Sequence, residues 1–95
     1  MAADFEWDPG KAQENISRHA MSFEEASSIF EGPFAFTIDD VEHSTDEKRF
    51  YTIGASSLHR TLVVAHAERG ENIRIISARL GTRRERKSYE EGESK

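Results

Sequence analysis

The second half of the chain contains three strand-like runs joined by connections too short for parallel crossovers. Residues 49–55, 61–69 and 73–80 are rich in β-branched, aliphatic and aromatic side chains. Only residues 56–60 and 70–72 separate them, whereas a parallel crossover needs about a dozen residues or more. The spacing therefore predicts an antiparallel meander.

A fourth strand is predicted ahead of this meander. Phe34, Phe36 and Ile38 alternate with smaller or polar residues, which is typical of a half-buried strand. Residues 39–48, which follow, are polar and acidic and indicate a solvated loop. We therefore expect a sheet of four strands.

The first helix is predicted from the pair Asp8-Pro9. The aspartate can cap free amide groups, and proline at the first helical position loses only an amide that had no partner. The helix is expected to run to about His19. Lys11, Asn15 and His19 follow at four-residue steps, so they share one face of it.

Capping boxes predict the other two helices. A serine or threonine followed three residues later by a glutamate satisfies two backbone amides, and this spacing occurs at Ser22–Glu25 and Thr82–Glu85. The second helix is expected to end at Gly32-Pro33, and the last to run to about Glu90.

Two helices, four strands and one helix thus follow one another, an order that favours an α+β fold. We expect a four-stranded, mainly antiparallel sheet with the helices on one of its faces. The 95 residues have room for one domain, here residues 1–90, and residues 91–95 are expected to fray. So small a domain has a narrow margin of stability, which favours a permanent partner.

The composition excludes several classes of protein. There is no cysteine, which excludes disulfides, thiolate metal sites and cysteine nucleophiles. The apolar runs are far shorter than a membrane span, and the first residues lack the basic and apolar segments of a signal peptide. We therefore expect a cytoplasmic protein that contacts no membrane.

The formal net charge of −5 is distributed unevenly along the chain. Residues 1–59 hold four basic and twelve acidic side chains, whereas residues 60–88 hold eight basic and three acidic ones. Such asymmetry is typical of a surface that binds a polyanion such as nucleic acid. Arginines that are solvated, or that pair with the acidic half, are an equally simple interpretation.

Two side chains on the strongest strands are candidates for chemistry. His66 interrupts the apolar face formed by Leu62 and Val64, either as a buried, hydrogen-bonded histidine or as a proton shuttle facing a basic groove. Arg79 lies at the end of the last strand, where its guanidinium could hold a phosphate through two parallel hydrogen bonds or simply cover the sheet edge.

Strict alternation predicts which side chains of the last strand share a face. One face is expected to carry Ile73, Ile75, Ser77 and Arg79. The other is expected to carry Arg74, Ile76, Ala78 and Leu80. The two arginines of this strand are therefore expected on opposite faces.

The last predicted helix concentrates positive charge. Within about one and a half turns it carries four basic residues, Arg83, Arg84, Arg86 and Lys87. The capping box already explains Glu85. Tyr89 lies about one turn beyond, either within reach of Glu85 and Arg86 or with its ring packed on the sheet.

Motifs of metal and nucleotide sites are missing from the sequence. There is no HExxH, no glycine-rich phosphate loop, no GxSxG and no EF-hand loop. His43 and its acidic neighbours could form a metal cluster, but a solvated acidic loop is the simpler interpretation. No metal and no cofactor are expected.

Many separated blocks of the sequence occur together in one known family. In order they are Phe5-Glu6-Trp7-Asp8-Pro9, Lys11, Asn15, His19, Ser22-Phe23-Glu24-Glu25-Ala26, His43-Ser44, Glu47, Arg49, Ile53-Gly54, Val63-Val64-Ala65-His66, Arg69-Gly70, Ile73-Arg74-Ile75-Ile76-Ser77-Ala78-Arg79, and Glu85-Arg86 with Tyr89. This set, over about residues 5–90, resembles the BrnT toxins. The chain departs from the family at Ala20-Met21, where Gly-Val is frequent, so a different turn is expected there.

The resemblance implies a type II toxin–antitoxin module with a RelE-like fold. The toxin would be a ribonuclease that cuts RNA and arrests growth. It would be held inactive by a BrnA-like antitoxin, in a complex with two copies of each chain, and would meet DNA only through the antitoxin. RelE-like enzymes place basic residues on the open sheet face and the last helix.

These expectations combine into a hypothesis of metal-independent RNA cleavage, in which a ribose hydroxyl attacks the adjacent phosphate. Arg79, helped by Arg74 or Arg86, would stabilise the transition state, and His66 or Tyr89 would move a proton. Further candidate residues bind RNA (Arg69, Arg74, Arg83, Arg84 and Lys87) or are added as weaker site candidates (His19 and Glu85). The alternative is a non-catalytic interaction protein whose basic surface docks an acidic partner.

Overall fold

The computed structural model describes residues 4–92, which form a five-stranded mixed sheet with helices on both faces. The elements in chain order are β1 (Asp4–Glu6), α1 (Pro9–His19), α2 (Phe23–Ser27), β2 (Phe36–Asp39), β3 (Arg49–Ala55), β4 (Thr61–Arg69), β5 (Asn72–Leu80) and α3 (Arg83–Glu90). Short 3-10 turns cover Ser28–Glu31 and Val41–His43. The predicted α+β class is confirmed.

The sheet order is β1-β5-β4-β3-β2, and β2 to β5 form the predicted antiparallel meander. The prediction of four strands was wrong in one respect, because β1 adds a fifth strand parallel to β5. Three residues are too few to show a period of two, and the partner strand lies almost at the other end of the chain. No local signal in the sequence could have shown this pairing.

A β-bulge in β5 corrects the predicted faces of that strand. Ala65 pairs with Ser77 but His66 pairs with Ile75, so Ile76 is left without a partner on β4. Alternation therefore restarts within the strand. Ile75 and Ala78 both face the core, and Arg74 lies on the same face as Ser77 and Arg79, although strict alternation predicted the opposite face.

Helices α1 and α2 cover one face of the sheet, and the core lies between them and the central strands. Fully buried side chains of the helical segment pack against fully buried side chains of β4 and β5. The helical group comprises Met21, Phe23, Ala26 and Ile29, and the strand group comprises Leu62, Val64, Ile75 and Ala78. Helix α3 lies on the opposite face, where Glu85 reaches Arg79. The prediction that all helices share one face was therefore wrong.

The two predicted capping boxes differ in the structure. At α3 both halves form, between Thr82 and Glu85. At α2 the Ser22 hydroxyl accepts from the Glu25 amide, but the Glu25 carboxylate binds Ser56 and Arg60 of the β3–β4 turn instead of the cap. The arginine lowers the pKa of Glu25, and this buried carboxylate ties α2 to the turn.

The turn after α1 is left-handed, with φ of 53° at Ala20. The backbone thus adopts the conformation that glycine favours, although alanine occupies this position. An alanine held there costs about 1 kcal/mol. At the other end of the chain, Glu91 and Gly92 donate to carbonyls of α3; residues 93–95, the rest of the predicted frayed tail, lie outside the described residues.

Candidate active site

The sheet face that carries Arg74, Ser77 and Arg79, here called the Arg79 face, is built from rows of side chains across the strands. The register of the pairings gives three rows: Phe36, Ile53, Val63 and Arg79; Ile38, Tyr51, Ala65 and Ser77; and Arg49, Ala67, Arg74 and Glu6. Two rows end on polar residues at β5, and the third holds two arginines. The side chains in the middle of the face are apolar, and their packing supports these polar groups.

Arg79 is held by Glu85 through two parallel hydrogen bonds. Its Nη1 and Nη2 donate to Oε1 and Oε2 of Glu85 at 2.8 and 3.0 Å. The same carboxylate accepts from the Thr82 amide at 2.7 Å. The pKa of Glu85 falls to about 2, chiefly because of its hydrogen bond with Arg79, so the carboxylate is ionised at neutral pH.

The pair closes one side of a cavity of about 330 Å³ that is also lined by Ile38, Tyr51, Ile53 and Val63. The Arg79 side chain is 42% exposed, so its outer surface remains open to a ligand. An anion that entered here would meet a guanidinium already oriented by a carboxylate. Two-pronged binding of a phosphate would use the Nη1 and Nη2 donors that Glu85 now occupies.

Tyr51 is a member of this site that the sequence analysis missed. It lines the cavity with Arg79, and its pKa is raised by burial first and then by the nearby Asp40 carboxylate. The phenol therefore keeps its proton at neutral pH and can donate a hydrogen bond. The alternation of Arg49, Tyr51 and Ile53 along β3 was the signal that could have placed it on this face.

The other arginines of the sheet differ in how firmly they are paired. Arg69 lies 3.8 Å from Glu6 and Arg49 lies 3.6 Å from Glu47, whereas no described carboxylate lies within 4 Å of Arg74. Arg74 is therefore the least neutralised arginine on the Arg79 face. The bulge, which turns Arg74 to this side, is what places it on the same face as Arg79.

Helix α3 borders the face with further positive charge. Arg86 donates to the Gly81 carbonyl at 3.2 Å, which orients it toward the end of β5. Arg83, Arg84 and Lys87 are exposed, and none forms an ion pair within residues 4–92. These side chains are free to meet a ligand. Tyr89 instead lines a different cavity, of about 410 Å³, with residues 33–36.

His66 lies on the other face of the sheet, away from Arg79. It is 4% exposed, with its ring between Phe30 and Phe50 and its Nε2 2.7 Å from the Thr52 hydroxyl. Burial lowers the pKa of His66 to about 4. The structure thus does not bring His66 together with the other candidate residues, and it matches the buried, hydrogen-bonded alternative.

Two further candidates lie apart from the Arg79 site. His19 is exposed at the end of α1, beside the outer edge of β5. In the predicted solvated loop, Asp40 is buried and binds His43 at 2.9 Å. Across residues 4–92 no group of three or more metal-binding side chains comes together, and no helix there is long and apolar enough to cross a membrane.

Comparisons with known proteins identify the family. A family model described as the ribonuclease toxin BrnT of a type II toxin–antitoxin system matches residues 7–85. The curated proteins searched contain no match. Among solved structures, the crystal structure of the Brucella abortus ribonuclease toxin BrnT aligns with a TM-score of 0.66 and 20% identity, over 86% of this chain and 100% of that chain. That likeness establishes the fold.

The resemblance expected from the sequence is therefore confirmed. The family match spans most of the 95 residues and includes Arg74, Arg79 and Glu85. The chain belongs to the BrnT family, the ribonuclease toxins of type II toxin–antitoxin systems.

Proposed function

We propose that this endoribonuclease cuts RNA on the Arg79 face, without a metal ion, by attack of a ribose 2′-hydroxyl on the adjacent phosphate. The observation that carries the proposal is the bulge in β5, which sets Arg74 and Arg79 on one face beside the cations of α3. Guanidinium groups match the geometry of phosphate groups and bind them through paired hydrogen bonds. Arg69, Arg83, Arg84, Arg86 and Lys87 extend this basic surface and bind the flanking RNA backbone.

Arg79 stabilises the transition state in this proposal. The attacked phosphate gains negative charge in the transition state, and the Arg79 guanidinium, which already lines the cavity, stabilises that charge once it turns from Glu85 to the phosphate. The phosphate takes over the two hydrogen bonds that Glu85 now accepts. Once Arg79 turns to the phosphate, the pKa of Glu85 rises from about 2 toward its ordinary value, and the carboxylate becomes a better base.

Proton transfer then completes the reaction. The 2′-hydroxyl gives its proton to Glu85 while its oxygen bonds to phosphorus, the bond from phosphorus to the 5′-oxygen breaks, and the Tyr51 phenol supplies a proton to the leaving oxygen. The products are a 2′,3′-cyclic phosphate and a 5′-hydroxyl. Tyr51 takes the role first given to His66 or Tyr89, because these two side chains lie on the other face and in another cavity.

A type II toxin implies an antitoxin partner. We propose that the partner is BrnA-like, that the complex holds two copies of each chain, and that DNA is met only through the antitoxin. The toxin domain in this proposal comprises residues 1–90 and acts in the cytoplasm.

The direct test incubates the purified, partner-free chain with a defined RNA and a metal chelator. We expect cleavage that yields cyclic phosphate ends and stops when the antitoxin is added. Cleavage that requires added Mg²⁺ would show that the metal-independent mechanism is wrong. Folded protein that cuts no RNA in either condition would favour the non-catalytic interaction protein.

Glu85→Gln separates the two roles of this carboxylate. The amide oxygen can still accept from the Thr82 amide, but it carries no charge and is a poor base. We expect the cleavage rate to fall about 100-fold, while binding to an uncleavable RNA strengthens about threefold because Arg79 is no longer neutralised.

Glu90→Gln is the matched control, since it removes the same charge from the exposed end of α3. It should leave the cleavage rate unchanged. A Glu85→Gln protein that cuts RNA at the wild-type rate would restrict Glu85 to capping the helix.

A further inference from the structure

A second polar pocket lies at the outer edge of β5, where α1 crosses the strand. It has a volume of about 140 Å³ and is lined by Lys11, Glu14, Asn15, Arg18, His19 and the bulge residues Ile76 and Ser77. The four-residue steps of Lys11, Asn15 and His19 place these side chains along one face of α1. The pocket is not part of the Arg79 site.

The pocket is rigid on its inner side. In the described part of the chain β1 pairs with β5 only at residues 72–74, so beyond this point no described strand lies next to the edge of β5. Asn15 fills that place, because its side-chain amide accepts from the Ala78 amide at 3.1 Å and donates to the Ala78 and Met21 carbonyls at 2.9 Å each. These hydrogen bonds fix the distance between α1 and the bulge.

Most hydrogen-bond donors around Asn15 in this pocket have no partner among the described residues. Within residues 4–92 no carboxylate lies within 4 Å of the Lys11 ammonium, and neither the His19 ring nor the Ser77 hydroxyl has a hydrogen-bond partner. Arg18 lies 3.4 Å from Glu14, and both side chains are mostly exposed, so this pair is weak. The pocket therefore offers several free donors and a net positive charge.

Basic side chains are rare in the first part of the chain, yet two of them lie in this pocket. Residues 1–59 contain only four basic side chains against twelve acidic ones, and two of the four, Lys11 and Arg18, line this one pocket together with His19. Ser77 also belongs to the Arg79 face, two residues from Arg79, or about 7 Å along the strand. The pocket thus continues the basic surface around the edge of the sheet.

We propose that this pocket binds a phosphate group and that, given the proposed RNA cleavage on the Arg79 face, it holds a backbone phosphate of the RNA beside that site. Lys11 and His19 contact the phosphate oxygens, and Ser77 donates from the strand side. The role is substrate binding, since no group in the pocket reaches the attacked phosphate. RNA would then cross the edge of β5 before it reaches Arg79.

The first arm of the test titrates inorganic phosphate into the full chain and follows the NMR signals of the His19 ring and the Ser77 amide. Both signals are expected to shift in the wild type and to stay in place in Lys11→Gln. Lys48→Gln removes the same charge from the acidic loop and is expected to leave the shifts as in the wild type. An absence of shifts in the wild type would overturn the phosphate site.

The second arm measures binding of 2′-O-methyl RNA, which cannot be cleaved, against salt concentration. Lys11→Gln is expected to weaken binding about fivefold at low salt and to reduce the slope of log Kd against log salt by about one, with Lys48→Gln unchanged. Lys11 is exposed, so the variant is expected to fold.

The outcomes distinguish the two proposals. If phosphate shifts the signals but RNA affinity does not depend on Lys11, the pocket binds free phosphate and its role in RNA binding is overturned. If the wild type binds no RNA, the proposed RNA site fails as a whole, while the phosphate arm still decides whether the pocket binds the anion. Loss of both RNA affinity and phosphate shifts in Lys11→Gln supports the proposal.

Discussion

Replacing Arg79 with alanine is expected to lower the rate of RNA cleavage by about 100- to 1000-fold, the usual effect of removing an oriented group that stabilises transition-state charge. Among residues 4–92, the guanidinium is the one group that both faces the cavity and is held by two hydrogen bonds to a carboxylate. Alanine removes its charge and its paired donors together. The measurement is the single-turnover cleavage rate at saturating RNA.

Two further variants serve as controls for this result. Arg79→Lys keeps the positive charge but loses the planar pair of donors, so a rate between those of wild type and Arg79→Ala is expected. Lys48→Ala removes one positive charge from the acidic loop, where the ammonium lies over the Phe50 ring on the face opposite Arg79, and is expected to cut RNA at the wild-type rate.

Folding has to be checked in the same samples. Arg79→Ala leaves the Glu85 carboxylate, 28% exposed, without its strongest partner, although the Thr82 amide still binds it. A modest loss of stability, about 1 kcal/mol, is expected from this change. A folded Arg79→Ala protein that cuts RNA as fast as the wild type would remove Arg79 from the mechanism.

Those parts of the fold that local patterns control were predictable from the sequence. Helix α1 begins and ends as Asp8-Pro9 and the periodicity indicate, and the three strands of the meander were predicted to within a residue. The α3 capping box was also predictable, because it depends on two residues three positions apart. Each of these features is decided within a few residues of chain.

The parts that were missed depend on distant pairings. The bulge at Ile76 cannot be read from β5 alone, because the register on β4 determines which residue is left over. Glu25 looked like half of a capping box, yet its carboxylate binds Arg60, 35 residues away. Arg74 joins the site only through such a register effect, so strict alternation misplaced it. Tyr51 lies on the face that regular alternation along β3 indicates, but it was given no role from the sequence.

The stability of the chain is expected to fall by up to about 3 kcal/mol as the pH drops from about 6.5 to 4, because of His66. Its pKa is lowered to about 4 by burial, whereas the unfolded chain keeps the ordinary value. Between these values the unfolded state binds the proton more readily, so stability decreases with falling pH. Glu25 and Glu85 add a separate loss only below about pH 4.5, since the pKa of each is lowered, that of Glu85 to about 2.

The packing around His66 explains why protonation of its ring destabilises the folded state. A neutral ring with its hydrogen on Nε2 can donate to Thr52, whose hydroxyl lies 2.6 Å from that of Thr37. Nδ1 is buried without a partner among the described residues, so protonation would bury an N–H that has no acceptor. His66 is thus a structural residue between two aromatic rings.

Urea unfolding between pH 4 and 7 tests this account. His66→Gln can still bind Thr52 but does not titrate, so its stability is expected to be nearly constant over this range, although lower at pH 7. His59→Asn changes an exposed histidine whose positive φ asparagine tolerates, and it should keep the wild-type pH dependence.

The RNA cleavage rate of a His66 variant distinguishes a structural role of this histidine from a catalytic one. The His66 ring faces the helices and not the Arg79 face. Folded His66→Gln is therefore expected to cut RNA within about threefold of the wild-type rate at pH 7. Loss of a general acid or base typically lowers the rate 100-fold or more. A folded variant with a 100-fold lower rate and an unchanged dependence of stability on pH would make His66 part of the catalytic machinery, and the assignment of Tyr51 and Glu85 to proton transfer would then be wrong.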